Sequence, residues 1–233
     1  METHSEVERL QHVYREYNLR GLGRSKWSPA NRGNQAIRDE CQARLGEALR
    51  RSGFLPLTNR RVLDVGCGSG ARLAAFEDMG AHAENLFGID LIPERINAAR
   101  NNYEGITFKL ANAESIPFGD GLFDLVAVFT VFTSILNPQM AANVSAEITR
   151  VLTPGGGVIW YDFRMNNPAN RNVHGISRRQ IRKLFPGFKL NLERISLLPP
   201  LARRLGRMTN LLYPVMSSFP FLRTHYLGIL IKP

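Results

Sequence analysis

The segment Val62-Leu-Asp64-Val-Gly66-Cys-Gly68-Ser-Gly70 restricts what this chain can fold into more than any other part of it. A short apolar run leads straight into three alternating glycines, and a stretch with helical spacing follows. The segment therefore predicts a buried strand, a tight turn and the start of a helix. Glycine removes the Cβ atoms that would hold a ligand away from the amides of such a turn. The spacing Gly66-x-Gly68-x-x-Ala71 also fits a dinucleotide fingerprint. Asp64 argues against that ligand, because a carboxylate two residues before the first glycine repels a pyrophosphate yet can pair with a cationic group, directly or through water.

From residue 60 onward, short β-rich runs alternate with helical periodicity, the pattern of an α/β fold. Residues 61–65, 86–90, 106–110, 123–130 and 158–163 read as buried strands, and 71–79, 93–102 and 138–152 as helices, with Gly80 as a C-cap and Pro93 and Pro138 in first turns. Beyond Phe163 come a polar loop (164–175), a basic helix (177–185), a strand (188–198), an apolar and arginine-rich stretch (200–221) and a last strand (225–231). Upstream, Ser5 and Glu8 suggest a capping box for a helix with the stripe Val7, Leu10, Val13, Tyr14 and Tyr17. A second helix carries Ile37, Cys41, Leu45 and Leu49 on one face. The division predicted is a helical cap or lid over residues 1–55 and a main domain over 56–233, with a basic C-terminal insert at about 164–222.

Charge separates the chain as well. Residues 1–163 carry 17 Lys and Arg against 19 Asp and Glu, whereas residues 164–233 carry 13 against the single Glu193. Such a one-signed region attracts phosphate, an acidic substrate or an anionic membrane surface. No apolar run reaches the roughly 20 residues of a membrane crossing, and the charged N-terminus does not read as a signal peptide. Two cysteines make no disulfide framework, and the five histidines show no paired metal-ligand spacing. The expectation is a cytoplasmic protein without a metal, with peripheral contact at a membrane face left open.

Three predicted strand ends converge on one nucleoside. Asp90 closes the second strand, where a carboxylate can take both ribose hydroxyls. Asn112, after the third, can bond the exocyclic amine of adenine while Leu91 covers its face. These motifs, together with Asn112-Ala-Glu-Ser-Ile-Pro-Phe118, Phe123-Asp-Leu-Val126 and Arg150-Val-Leu-Thr-Pro-Gly-Gly-Gly157, resemble the ordered motifs of class I S-adenosylmethionine-dependent methyltransferases over about residues 60–163. The resemblance implies a Rossmann-like, doubly wound, seven-stranded sheet with the last strand antiparallel and helices on both faces. It implies S-adenosylmethionine as cofactor, held by Asp64, Gly66, Cys67, Gly68, Gly70, Asp90, Leu91, Asn112, Ala113 and Phe129. Trp27, in a glycine- and arginine-rich loop, joins that set as a closing residue.

Asp162, at the carboxyl end of the fifth strand, is the first candidate for a base or acceptor contact, and His174, in the loop that follows, is the second. Thr133 and Ser134 stand where the family often has histidines, which leaves the base unidentified. The Tyr14 and Tyr17 stripe reads either as part of a lid or, more simply, as plain core. The function expected is methyl transfer, most simply O-methylation, to a small, glycan-linked or lipid-linked acceptor that is anionic in some forms. A noncatalytic cofactor-binding module docking on membrane or nucleic acid, and an RNA ribose methyltransferase, stand as alternatives. Methylation of exocyclic base nitrogens loses ground, because Phe129-Thr-Val-Phe132 stands where such enzymes resemble one another in an Asn/Asp-Pro-Pro-aromatic turn.

Overall fold

In the computed structural model, which describes residues 3–19 and 28–233, one seven-stranded sheet organises the chain. Its order is β3-β2-β1-β4-β5-β7-β6, with β1 at Val62–Val65, β2 at Leu86–Asp90, β3 at Thr107–Leu110, β4 at Phe123–Phe129, β5 at Leu152–Phe163, β6 at Lys189–Leu197 and β7 at Arg223–Ile231. The first five strands pair in parallel, and β7 runs antiparallel between β5 and β6, as the sequence predicted. Parallel strands buried on both faces must be apolar throughout, and β1 is buried at all four positions while β4 is buried at five of seven.

Helices cover both faces. In chain order they are α1 (Thr3–Leu19), α2 (Arg32–Arg51), α3 (Ala71–Ala74), α4 (Pro93–Asn102), α5 (Pro138–Val151), α6 (Arg178–Leu184), α7 (Pro199–Arg204) and α8 (Thr209–Ser217). Leu10 of α1 and Val144 and Ile148 of α5 join Leu63, Val126 and Trp160 in one core layer. Cys41, Leu45 and Leu49 of α2 join Val62, Leu125 and Ile159 in the other. The expected cap thus shares both cores with the sheet. Asn137 caps α5 by accepting from the amides of Gln139 and Met140, and Ser177 and Gln180 form a full capping box on α6. The capping box expected of Ser5 and Glu8 involves a side chain outside the described residues.

Two elements differ from expectation. The helix predicted over 71–79 is α3 followed by a 3-10 turn at Glu77–Met79. The Phe76 amide donates to Leu73 O rather than four residues back, tightening the turn as both side chains go under. The fifth strand starts at Leu152, not 158, and residues 153–156 bulge out, since Phe123 pairs with Leu152 and Leu125 with Gly157.

Candidate active site

A cavity of about 280 Å3 lies at the carboxyl ends of β1, β2 and β4. The strand order reverses between β2-β1 and β4-β5, so the connecting segments diverge there and leave a crevice. Val65 and Gly66 border it from β1, Ile89 to Ile92 from β2, Ala111, Asn112 and Ala113 from the turn after β3, and Phe129, Thr130 and Val131 from β4. Of the predicted cofactor residues, the fold therefore brings Gly66, Asp90, Leu91, Asn112, Ala113 and Phe129 together around one space. A side chain at Gly66 would sit at φ +74° and bring its Cβ to 3.2 Å from Val131 Cγ2. Thr130, on the same wall, holds φ +59°, a strained conformation for a branched residue of the kind concentrated at sites.

Asp90 ties the two loops of the crevice. Its Oδ2 accepts from the Gly68 amide at 2.9 Å and its Oδ1 from the Ile92 amide at 2.9 Å, with Arg95 at 3.9 Å. Each carboxylate oxygen has capacity for a further bond. Asn112 makes a local turn, its Oδ1 accepting from the Glu114 amide at 3.0 Å.

Asp64, Cys67, Gly68 and Gly70 do not border this cavity. The turn curls so that Cys67 packs behind β2, where a Cβ at Gly88 would lie 2.8 Å from its Sγ. A glycine inside a strand, as Gly88 is, reveals close approach only once its neighbour is known. Burial pushes the Cys67 thiol up, with Asp64 and Asp90 adding to the effect. Asp64 is 2% exposed, and its Oδ1 has no hydrogen-bond partner. Burial pushes its carboxyl up to about 7 against the counter-pull of Arg72. An enclosed, uncompensated carboxylate oxygen beside a glycine turn is costly unless something positive or hydrogen-bonding meets it.

Helix α1 supplies the wall that the sequence did not reveal. Leu10 and Tyr14 border the cavity, so Tyr14 is more than core packing. The Arg95 guanidinium lies 4.4 Å from the Tyr14 ring centroid, a cation–π contact. The helix is anchored by Glu6, which is fully buried: its Oε1 accepts from the Leu136 amide at 2.6 Å and the Asn137 amide at 3.3 Å, and pairs with Arg9 at 2.7 Å. Arg9 Nη2 in turn donates to Ser134 O at 2.5 Å. Burial alone would raise the Glu6 carboxyl, but Arg9 and the two amides outweigh it and hold it below its usual range. Trp27 lies outside the described residues.

Neither catalytic candidate, Asp162 or His174, is among the residues that border this cavity. Asp162 is 0% exposed; its Oδ2 accepts from the Thr133 amide at 3.0 Å and its Oδ1 from the Phe163 amide at 2.9 Å. Burial pushes it up to about 7, partly offset by those amides. Its carboxylate braces the 3-10 turn at Phe132–Ser134, so it positions Ser134, which does border the cavity. His174 is half-buried, and its main chain bonds both the carbonyl and the hydroxyl of Thr133. Its Nδ1 is enclosed without a partner, and burial lowers its proton affinity.

Comparison with known proteins agrees with this geometry. Residues 62–156 match the family described as Methyltransferase domain. The phthiotriol/phenolphthiotriol dimycocerosates methyltransferase of Mycobacterium leprae is 30% identical over 135 residues, covering 54% of this chain and 48% of that protein. The fatty-acid O-methyltransferase of Mycolicibacterium smegmatis is 36% identical over 107 residues, covering 45% of this chain and 38% of that one. The chain thus spans half or less of these relatives' length. In fold, an S-adenosylmethionine-dependent methyltransferase from Mesorhizobium loti superposes with a TM-score of 0.60 at 17% identity, over 80% of this chain and 96% of that structure. Residues 62–156, seated on this sheet and crevice, thus match a methyltransferase domain, and the fold is the one shared by S-adenosylmethionine-dependent methyltransferase structures.

Proposed function

We propose that this protein transfers a methyl group from S-adenosylmethionine to an oxygen that is already acidic, a carboxylate or an acidic hydroxyl on a small or lipid-linked acceptor. The family's cofactor supplies a methyl group bonded to a cationic sulfur. Three features of this chain fit it: the glycine at position 66, where a Cβ would crowd Val131, the unpartnered Asp64 carboxylate oxygen, and Asp90 at the cavity edge. Asp90 and Asn112 would hold the nucleoside, and Asp64 would meet positive charge at the turn. Leu10, Tyr14, Ile135, Met140 and Val144 form a largely apolar wall that excludes water, so α1, within the expected cap of residues 1–55, would cover the site.

The observation that carries the choice of acceptor is which side chains reach the cavity. A neutral alcohol needs a base within hydrogen-bond reach, and neither candidate base, Asp162 or His174, is among the residues bordering the cavity. Burial raises the Tyr14 hydroxyl above its ordinary range despite the Ser134 bond, so it serves as a donor and not as a base. Arg95 borders the cavity and attracts an anion. The M. smegmatis relative, named for O-methylation of fatty acids, supports the same reading. The test is to incubate purified protein with S-adenosylmethionine and matched pairs of long-chain carboxylic acids and alcohols, following methyl esters and ethers by mass spectrometry. Methyl esters from the acids support the proposal; methylation of the alcohols alone overturns it.

A further inference from the structure

We propose that the segment between β6 and β7 is a docking surface for an anionic lipid bilayer. Helix α8 is oriented opposite to an ordinary surface helix. Thr209, Tyr213 and Ser217 are buried, while Met208, Leu211 and Val215, at helical spacing on another face, are 54%, 68% and 56% exposed. Phe219 and Phe221 continue that face at 47% and 67% exposure, their ring centroids 5.7 Å apart. Tyr213 anchors the inward face, its hydroxyl donating to Glu40 Oε2 at 2.7 Å with the partly buried Met216 packed beside it, while Leu211 and Val215 stay exposed. A contiguous exposed apolar face of this kind marks an interaction site.

Charge selects the occupant. No Asp or Glu occurs after Glu193, and Arg204 and Arg207 are exposed just before α8. Of the carboxylates on α2, Glu40 is turned inward to Tyr213 and to the Ser196 amide and Glu47 pairs with Arg44 and Arg51, while Asp39 is exposed. A short helix with an outward apolar stripe flanked by arginines and free of carboxylates complements a negatively charged lipid surface, where apolar side chains enter the acyl boundary and arginines meet headgroups. A second copy fits less well, because a two-fold contact through this patch sets the same arginines near one another. The register locates the surface: Phe163 pairs with His225 and Leu197 with Arg223, so residues 198–222 leave and re-enter the sheet at the carboxyl edge of β5. That is the edge on which the cavity lies.

This proposal is independent of the acceptor proposed above, since vesicle binding is read without methyl transfer. Purified protein is floated with vesicles of phosphatidylcholine alone and of phosphatidylcholine with phosphatidylglycerol, three to one. The expected result is flotation with the anionic vesicles only, lost in high salt. Leu211→Ser combined with Phe221→Ser, and separately Arg204→Glu combined with Arg207→Glu, should each lower partitioning about tenfold or more. All four positions are exposed, and circular dichroism checks that the variants stay folded. Failure to float on anionic vesicles, or undiminished flotation of both variants, overturns the proposal. So does a dimer seen by light scattering that the Leu211 and Phe221 changes disperse while no vesicle binding occurs.

Discussion

The Tyr14 hydroxyl lies 2.9 Å from Ser134 Oγ, joining the first helix to the turn after β4 across 120 residues of sequence. Ser134 Oγ also reaches Thr130 O at 3.1 Å, so the pair links α1 to the strained residue on the cavity wall. Removing only the hydroxyl, by Tyr14→Phe, keeps the ring under Arg95. The expected cost is about 1 kcal/mol of stability, read as a melting temperature lower by about 2–4 °C. Tyr14→Ala should cost more, and should also weaken cofactor binding through loss of the wall. Equal melting temperatures for wild type and Tyr14→Phe would show that the bond is not formed in solution.

Glu6 makes the docking of α1 depend on acidity. Its carboxyl titrates below the ordinary value of 4.5 when folded, so the unfolded chain takes up its proton first as pH falls. The stability it contributes is full above about 4.5 and is lost as pH drops through the lower folded value. In Glu6→Gln this part of the acid dependence should vanish, with lower stability at neutral pH, because one neutral amide oxygen replaces a carboxylate serving two amides and an arginine. Thermal melts of both proteins between pH 3 and 7 decide it: curves that stay parallel refute the assignment.

Asp64 predicts the opposite slope. Its folded value is raised to about 7 from 3.8, so between those values the folded state holds a proton that the unfolded state has released. Without cofactor, stability should therefore fall as pH rises across that window and level off above it. Asp64→Asn removes one of two such contributions; the other is Asp162, raised likewise to about 7. The variant should be more stable than wild type at pH 8 and should bind S-adenosylmethionine less tightly. A melt at pH 8 without cofactor, followed by calorimetric titration, tests both halves, and a variant that melts lower and binds equally well contradicts the role given to Asp64.

Asp90→Ala strips the acceptor from the amides of Gly68 and Ile92 at once. Each such bond to a charged group is worth about 1.5–3 kcal/mol, so the loosened glycine turn, with loss of the ribose contact proposed for this carboxylate, should lower cofactor affinity at least about tenfold. Titration with S-adenosylhomocysteine measures it. Affinity within a factor of two of wild type, in a protein whose circular dichroism is unchanged, excludes this function for the carboxylate.

The chain's order of strands, turns and helices was legible in the sequence because its signals are local. Alternating apolar runs, the Gly66 to Gly70 turn and prolines at first turns each act within a few residues, and they specified a sheet whose crevice gathers Gly66, Asp90 and Asn112. Tertiary structure decided what those signals cannot carry. An amphipathic stripe says that Leu10 and Tyr14 are covered, not that they cover a cavity. A carboxylate at a strand end reads as a site residue, yet Asp162 is enclosed by the turn it braces, because the Thr133 amide and its own neighbour's amide reach it first. The face that α8 shows to solvent follows from contacts with distant elements, among them the bond from Tyr213 to Glu40 and the packing of Tyr213 and Met216 on Ile37 and Leu197. Local periodicity sets which elements form; contacts between residues far apart in the chain set which side chains each element hides and which it offers.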